Sequence, residues 1–144
     1  MRMPEQPALD KVRQWLIRAD EDIRLATAAM EYVDDCPYRL VAYHAQQCAE
    51  KCLKGFLVYW GIDFPYTHNI SILLELCAEH DDWPKRLGDA ELLTSYAITA
   101  RYPGEMEEVT EAEAREAIEL AEQVRSQVRN AIKQLGMDLQ DYTP

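Results

Sequence analysis

Residues 43–56 read YHAQQCAEKCLKGF, and the fold class follows from how this stretch is wound. As a helix turning about 100° per residue, it puts Val41, Ala45, Cys48, Cys52, Phe56 and Trp60 on one continuous apolar side. His44, Gln47, Lys51 and Lys54 then lie within about 80° of one another on the other side. The apolar face is what a helix needs in order to pack. Packing does not require an imidazole, an amide and two ammonium groups in a row. That row suits an anionic ligand or a partner surface, although a solvated face with lysine stems lying along apolar surface has the same spacing.

The same periodicity extends in both directions. Upstream, Trp15, Ala19, Ile23, Ala26 and Met30 recur every three or four residues and predict a helix over 10–32. Asp34-Asp35-Cys36 ends it, and Pro37 suits the start of the next helix, over 38–60, where its missing N–H costs nothing. Gly61 is the expected left-handed stop. Thr67 suits the cap of a short third helix over 69–80, with Ile70, Leu73, Leu74 and Cys77 on its apolar face. A fourth helix is predicted over 90–101, ending before Pro103. Thr110 and Glu113 form a capping box that opens a last helix over 111–135. With no strand pattern, the reading is all-α: an antiparallel up-and-down bundle of about five helices in one domain spanning residues 1–144.

Composition narrows the function classes. At 48% hydrophobic and 28% charged residues the chain is ordinarily globular. No apolar run reaches the length of a membrane span, and the N-terminal stretch lacks the apolar core of a signal peptide, so the expectation is a cytoplasmic protein with no membrane role. The net charge of −11 opposes long-range attraction to polyanions. However, residues 105–122 hold eight glutamates against Arg115, a net of −7, so most of the acidity is local. A small anionic ligand held by a few residues remains compatible with it.

Cys36, Cys48, Cys52 and Cys77 do not form a disulfide framework in such a chain. The column His44, Cys48, Cys52 has a metal-ligand spacing, but both cysteines sit on the apolar face, so core packing is the reading and no metal or cofactor is expected. Gly-rich phosphate loops, CxxC pairs and HExxH are absent. The Asp20-Glu21-Asp22 trio cannot converge on one ion, because successive helical residues diverge by about 100°. A solvated face is expected for it, with Asp22 nearest the apolar boundary. His68 stands at a helix start, where it suits either a loop hydrogen bond or a site, and His80 reads as surface. Arg101 precedes Tyr102-Pro103-Gly104, which fits either a cation at a helix C-terminus or a guanidinium held rigidly for a phosphate.

HAQQCAEKCLKG, THNISILLEL and AITARYPG, in that order, together with WLIRADEDIRLA upstream, resemble the HEPN domain family (higher eukaryotes and prokaryotes nucleotide-binding) from about Lys11 to Leu135. The resemblance implies a helical bundle, usually a homodimer, with a cleft between protomers. It also implies a partnership with a separately encoded minimal nucleotidyltransferase in a toxin–antitoxin-like system. Some members are metal-independent ribonucleases with a His four to six residues after an Arg. Here the residues after Arg101 are Tyr-Pro-Gly-Glu-Met-Glu-Glu, with no His in that window, so a non-enzymatic binding module is favoured over an RNA-cleaving toxin; a structural oligomerisation bundle is a third reading. Any ligand, a nucleotide or RNA phosphate, is expected among His44, Lys51, Lys54, His68 and Arg101, with Gln47 and Asp22 at the edge. Tyr59, Trp60, Tyr66, Tyr96 and Tyr102 are candidates for the dimer interface. The clustered cations would repel one another unless an anion or a carboxylate joined them, and Asp22 is the candidate carboxylate.

Overall fold

The computed structural model describes residues 3–97 and 108–139. Within them lie α1 (Gln6–Tyr32), α2 (Tyr38–Tyr59), α3 (Ile70–Ala78) and α4 (Glu111–Gln134), with 3-10 turns at Trp83–Arg86 and Gly88–Ala97. No strand occurs among the described residues. The fold is all-α, as the apolar stripes require.

Helix α2 is the centre, packed by α1, α4, α3 and the 3-10 segment Gly88–Ala97. Leu53, Phe56 and Leu57 are among its fully buried residues, and Phe56 meets Trp83 edge-on with ring centroids 5.1 Å apart. From α1 come Leu9, Val12, Leu16, Ala19, Ile23 and Ala26, spaced by three and four. From α4 come Ala114, Ala117, Ala121, Val124 and Val128. Many of these are small, so the helices approach closely. A close approach occurs at Gly55, where an added Cβ would stand 3.3 Å from the Trp15 Cβ and from Leu16 Cδ2.

The ends follow local chemistry. Gly61 is left-handed at φ 69, and Ile62 N–H returns to Leu57 C=O at 3.0 Å, which closes α2. Both hydrogen bonds of the Thr110–Glu113 capping box are present. The cap of α3 is Asn69, whose side chain accepts from Ile72 N–H at 3.2 Å. Thr67, expected in that role, instead accepts from Asn69 N–H.

The fourth predicted helix is a correction. Its described part forms 3-10 turns, Gly88–Ala97. Leu87, Ala90, Leu93 and Tyr96 recur every three residues, the 3-10 period, and all four pack into the core. Ser95 donates its hydroxyl to Leu92 C=O, which competes with α-helical bonding, while Thr94 Oγ1 accepts from Ile70 N–H and ties the segment to α3. The rest of that prediction, with Arg101 and the Arg101–Gly104 turn, lies outside the described residues.

Candidate functional site

The polar row of α2 is caught between two carboxylates. On the α1 side, Asp22 Oδ1 is 2.8 Å from His44 Nδ1, and its Oδ2 is 2.6 Å from Lys51 Nζ. On the other side, Glu50 Oε1 is 2.7 Å from His68 Nδ1, and its Oε2 is 3.1 Å from Lys54 Nζ. Each carboxylate therefore serves one imidazole and one ammonium. Asp22 is the resident counter-charge expected from the sequence, but only for half of the row.

Glu50 and Gln46 are the residues sequence reasoning missed. Glu50 is 4% exposed, and Gln46 is fully buried. The Gln46 amide donates to Glu50 Oε1 and to His68 C=O, both at 3.1 Å, and Gln47 donates to Gln46 Oε1 at 2.7 Å. This ladder ties the 62–69 connection to α2 and fixes the His68 ring. Burial pushes the Glu50 carboxyl up, but hydrogen bonds from Gln46 and His68 and the Lys54 ammonium outweigh it and hold the group below its ordinary value. It is a buried anion.

Lys54 corrects the expected open row. At 6% exposure it lies inside, with Nζ 5.7 Å from the Trp15 ring centroid and 5.6 Å from that of Phe64. His44, Gln47, Lys51 and His68 stay partly exposed. Because an ionised carboxylate only accepts, each Nδ1 must donate to it, which leaves Nε2 as the ring nitrogen not engaged by the carboxylate. Neither Nε2 has a hydrogen-bond partner among the described residues.

Two other expectations change. Asp20, read with Glu21 and Asp22 as a solvated face, is buried. It pairs with Arg125 at 2.6 Å and Arg129 at 3.3 Å across to α4. Tyr59 is buried in the core and serves the protomer itself, whereas Trp60 and Tyr96 pack against that core and stay partly exposed. Tyr102 lies outside the described residues; Tyr66, at 92% exposure, is the most exposed candidate. His80 is exposed as expected and stacks on Trp60 at 4.9 Å.

A hollow of about 530 Å³ between α1 and α4, lined by Ile23, Arg24, Glu31, Tyr32, Glu122 and Arg125 among others, contains none of the predicted ligand residues. No group of three or more His, Cys, Asp or Glu among the described residues has a metal-binding arrangement. Cys48 and Cys52 are buried in the core.

Comparison with known families places this geometry. The model of the HEPN domain matches residues 12–131. The chain belongs to the HEPN domain family. A Methanocaldococcus jannaschii protein named "Putative toxin MJ1304" is 31% identical over 137 residues, covering 81% of this chain and 85% of that protein. Two solved structures are similar at 29% identity: ST0689, described as an archaeal HEPN homologue (TM-score 0.66, 84% of this chain, 97% of that one), and TT1696 from Thermus thermophilus (TM-score 0.67, 83% and 97%). In this HEPN domain the match takes in Asp22, the whole polar row of α2 and His68. No helix among the described residues is long and apolar enough to cross a membrane.

Proposed function

We propose that this HEPN domain is a binding module that takes a nucleotide or nucleic-acid phosphate on the polar side of α2. It acts as a homodimer in a toxin–antitoxin-like pair with a separately encoded minimal nucleotidyltransferase. The observation that carries the reading is the pair of carboxylate-held imidazoles, whose Nε2 atoms have no hydrogen-bond partner among the described residues, with Lys51 sharing Asp22 with His44. Each carboxylate is already matched by an ammonium, so each imidazole that protonates adds an uncompensated positive charge. A phosphate supplies the balancing anion and accepts from Lys51 and from the protonated His44 beside it. The relative named as a toxin supports the toxin-like role.

The test is titration calorimetry with AMP and ADP on the purified chain. Wild type binds, and Lys51→Ala and His44→Ala each weaken binding tenfold or more while thermal melts report a folded protein. A wild type that binds neither nucleotide nor oligonucleotide overturns the reading. Co-purification with the product of an adjoining nucleotidyltransferase gene tests the partnership, and sedimentation at a single protomer mass contradicts the dimer.

A second reading, RNA cleavage without a metal, is favoured by the same two imidazoles, each held through Nδ1 by a carboxylate with its other nitrogen without a partner among the described residues. Incubating RNA with the protein and a chelator decides it: cleavage that disappears in both His44→Ala and His68→Ala makes this an enzyme.

A further inference from the structure

The hollow of about 530 Å³ between α1 and α4 lies on the far side of α1 from Asp22. At about 100° per residue, Arg24, Thr27 and Glu31 of its wall point about 140–180° away from Asp22. This wall therefore faces away from the His44–Lys51 pair. Buried Asp20 and Ile23 line the interior, and Arg125 reaches Asp20 from α4. From Asp20 to Tyr32 the α1 wall extends about 18 Å at 1.5 Å per residue. Both walls are helices packed on α2, so the hollow is an elongated groove between two helices.

The α1 lip of the groove is apolar. Leu25, Ala28 and Tyr32 succeed one another at intervals of three and four, and Val33 follows. Leu25 is 56% exposed and Tyr32 77%. With Ile17 and Val33 they make four of the eight large apolar side chains exposed among the described residues. Exposed apolar surface is thus concentrated on this helix, and a concentrated patch marks an interaction site.

The charge around the stripe is acidic. Glu31 and Glu122 line the groove, and Glu119 stands one turn before Glu122 on α4. Glu31 and Glu119 have no hydrogen-bond or ion-pair partner among the described residues. The guanidinium groups nearby are already engaged: Arg125 by Asp20, Arg115 by Glu111, and Arg24 in a contact of its own. Asp34 and Asp35 add two carboxylates just past α1. A second copy of this chain would bring the same carboxylates to the same interface, and the net charge of −11 adds to that repulsion. Lipid and nucleic-acid phosphates are repelled likewise.

We propose that the groove between α1 and α4 is a docking site for a basic amphipathic helix of another polypeptide. Apolar anchors spaced by three, four and seven residues pack on Leu25, Ala28 and Tyr32, and flanking Lys or Arg side chains meet Glu31, Glu119 and Glu122. An extended strand gains nothing here, since a helical wall offers no unpaired main-chain edge to extend. The groove is separate from the polar side of α2, so this proposal and the phosphate reading stand or fall independently.

The experiment uses two fluorescent helical peptides of about 14 residues, four turns, with one leucine pattern. One carries lysine at every polar position and the other glutamate. Anisotropy is read at about 0.15 M salt, where exposed charges act over only about 8 Å. Wild type is expected to bind the lysine peptide about tenfold or more tightly than the glutamate peptide. Leu25→Ser/Tyr32→Ser weakens the lysine peptide by about tenfold while a cooperative melt reports a folded protein. Glu119→Gln/Glu122→Gln weakens it about threefold and flattens its salt dependence. Ile72→Ser/Leu92→Ser, at exposed apolar residues off the groove, leaves it unchanged. Hydrogen exchange of wild type slows over residues 24–32 and 119–125 when the lysine peptide is added. Failure of either peptide to bind overturns the proposal, as does equal binding of the two. A lysine peptide whose affinity survives in the Leu25/Tyr32 variant, or falls as far in the Ile72/Leu92 variant, reports general attraction to an acidic chain and overturns it too. A lower sedimenting mass in the Leu25/Tyr32 variant than in wild type assigns the face to a second copy instead.

Discussion

Glu50 and His68 lie 18 residues apart in sequence, yet Oε1 of one is 2.7 Å from Nδ1 of the other. Their contact holds the connection after α2 against the helix it has just left, and it depends on a carboxylate that also neutralises Lys54. Replacing Glu50 with Ala strands an ammonium in the interior. Unfolding in urea is expected to show a loss of about 3–5 kcal/mol, and a loss below about 1 kcal/mol contradicts the buried pairing.

The same carboxylate gives the fold an acid limit. Its folded-state value is depressed, so the stabilisation is present above the ordinary value of 4.5 and is lost as pH falls through the lower, folded one. Melting temperatures measured from pH 6 to 3 are expected to fall more steeply for wild type than for Glu50→Gln. The gap between the two proteins closes on acidification. Parallel curves refute the assignment.

Asp20 joins α1 to α4 through Arg125 and Arg129. Asp20→Ala is expected to cost about 3 kcal/mol, because two mostly buried guanidinium groups lose a shared carboxylate. Its neighbour Glu21 is exposed, and Glu21→Ala stays within about 0.5 kcal/mol of wild type. Equal effects of the two substitutions rule out the bridge.

The thiols should separate by burial. Cys48 is pushed up by its hydrogen bond with Cys52 and by burial, and Cys77 by burial alone. Since the thiolate is the reactive form, native protein is expected to release one equivalent from Ellman's reagent, at the partly exposed Cys36, and four after denaturation. Fast reaction of a second thiol in the native protein contradicts this.

The bundle was legible because its long helices bury stripes that repeat every three or four residues, and the capping box at Thr110 announces α4 directly. The Gly88–Ala97 segment was not, since Ala90, Leu93 and Tyr96 satisfy a helical pattern almost as well as the 3-10 one they adopt. In the site, His44, Lys51 and Asp22 could be paired from their positions along two helices. Glu50 could not, because its partner His68 is brought back by a non-helical connection whose path no periodicity records. Asp20 was misread for a similar reason: Arg125 is 105 residues away, and nothing beside Asp20 in the chain marks it as buried.

Gly55 sets a dimension by having no side chain of its own. With no Cβ on Gly55, the Trp15 Cβ and the Leu16 side chain settle directly on the α2 main chain, and any larger residue there would act as a shim between the two helices. Asp22 of α1 meets His44 and Lys51 of α2 farther along the same pair of helices, so a shim at position 55 would be felt at that contact as well.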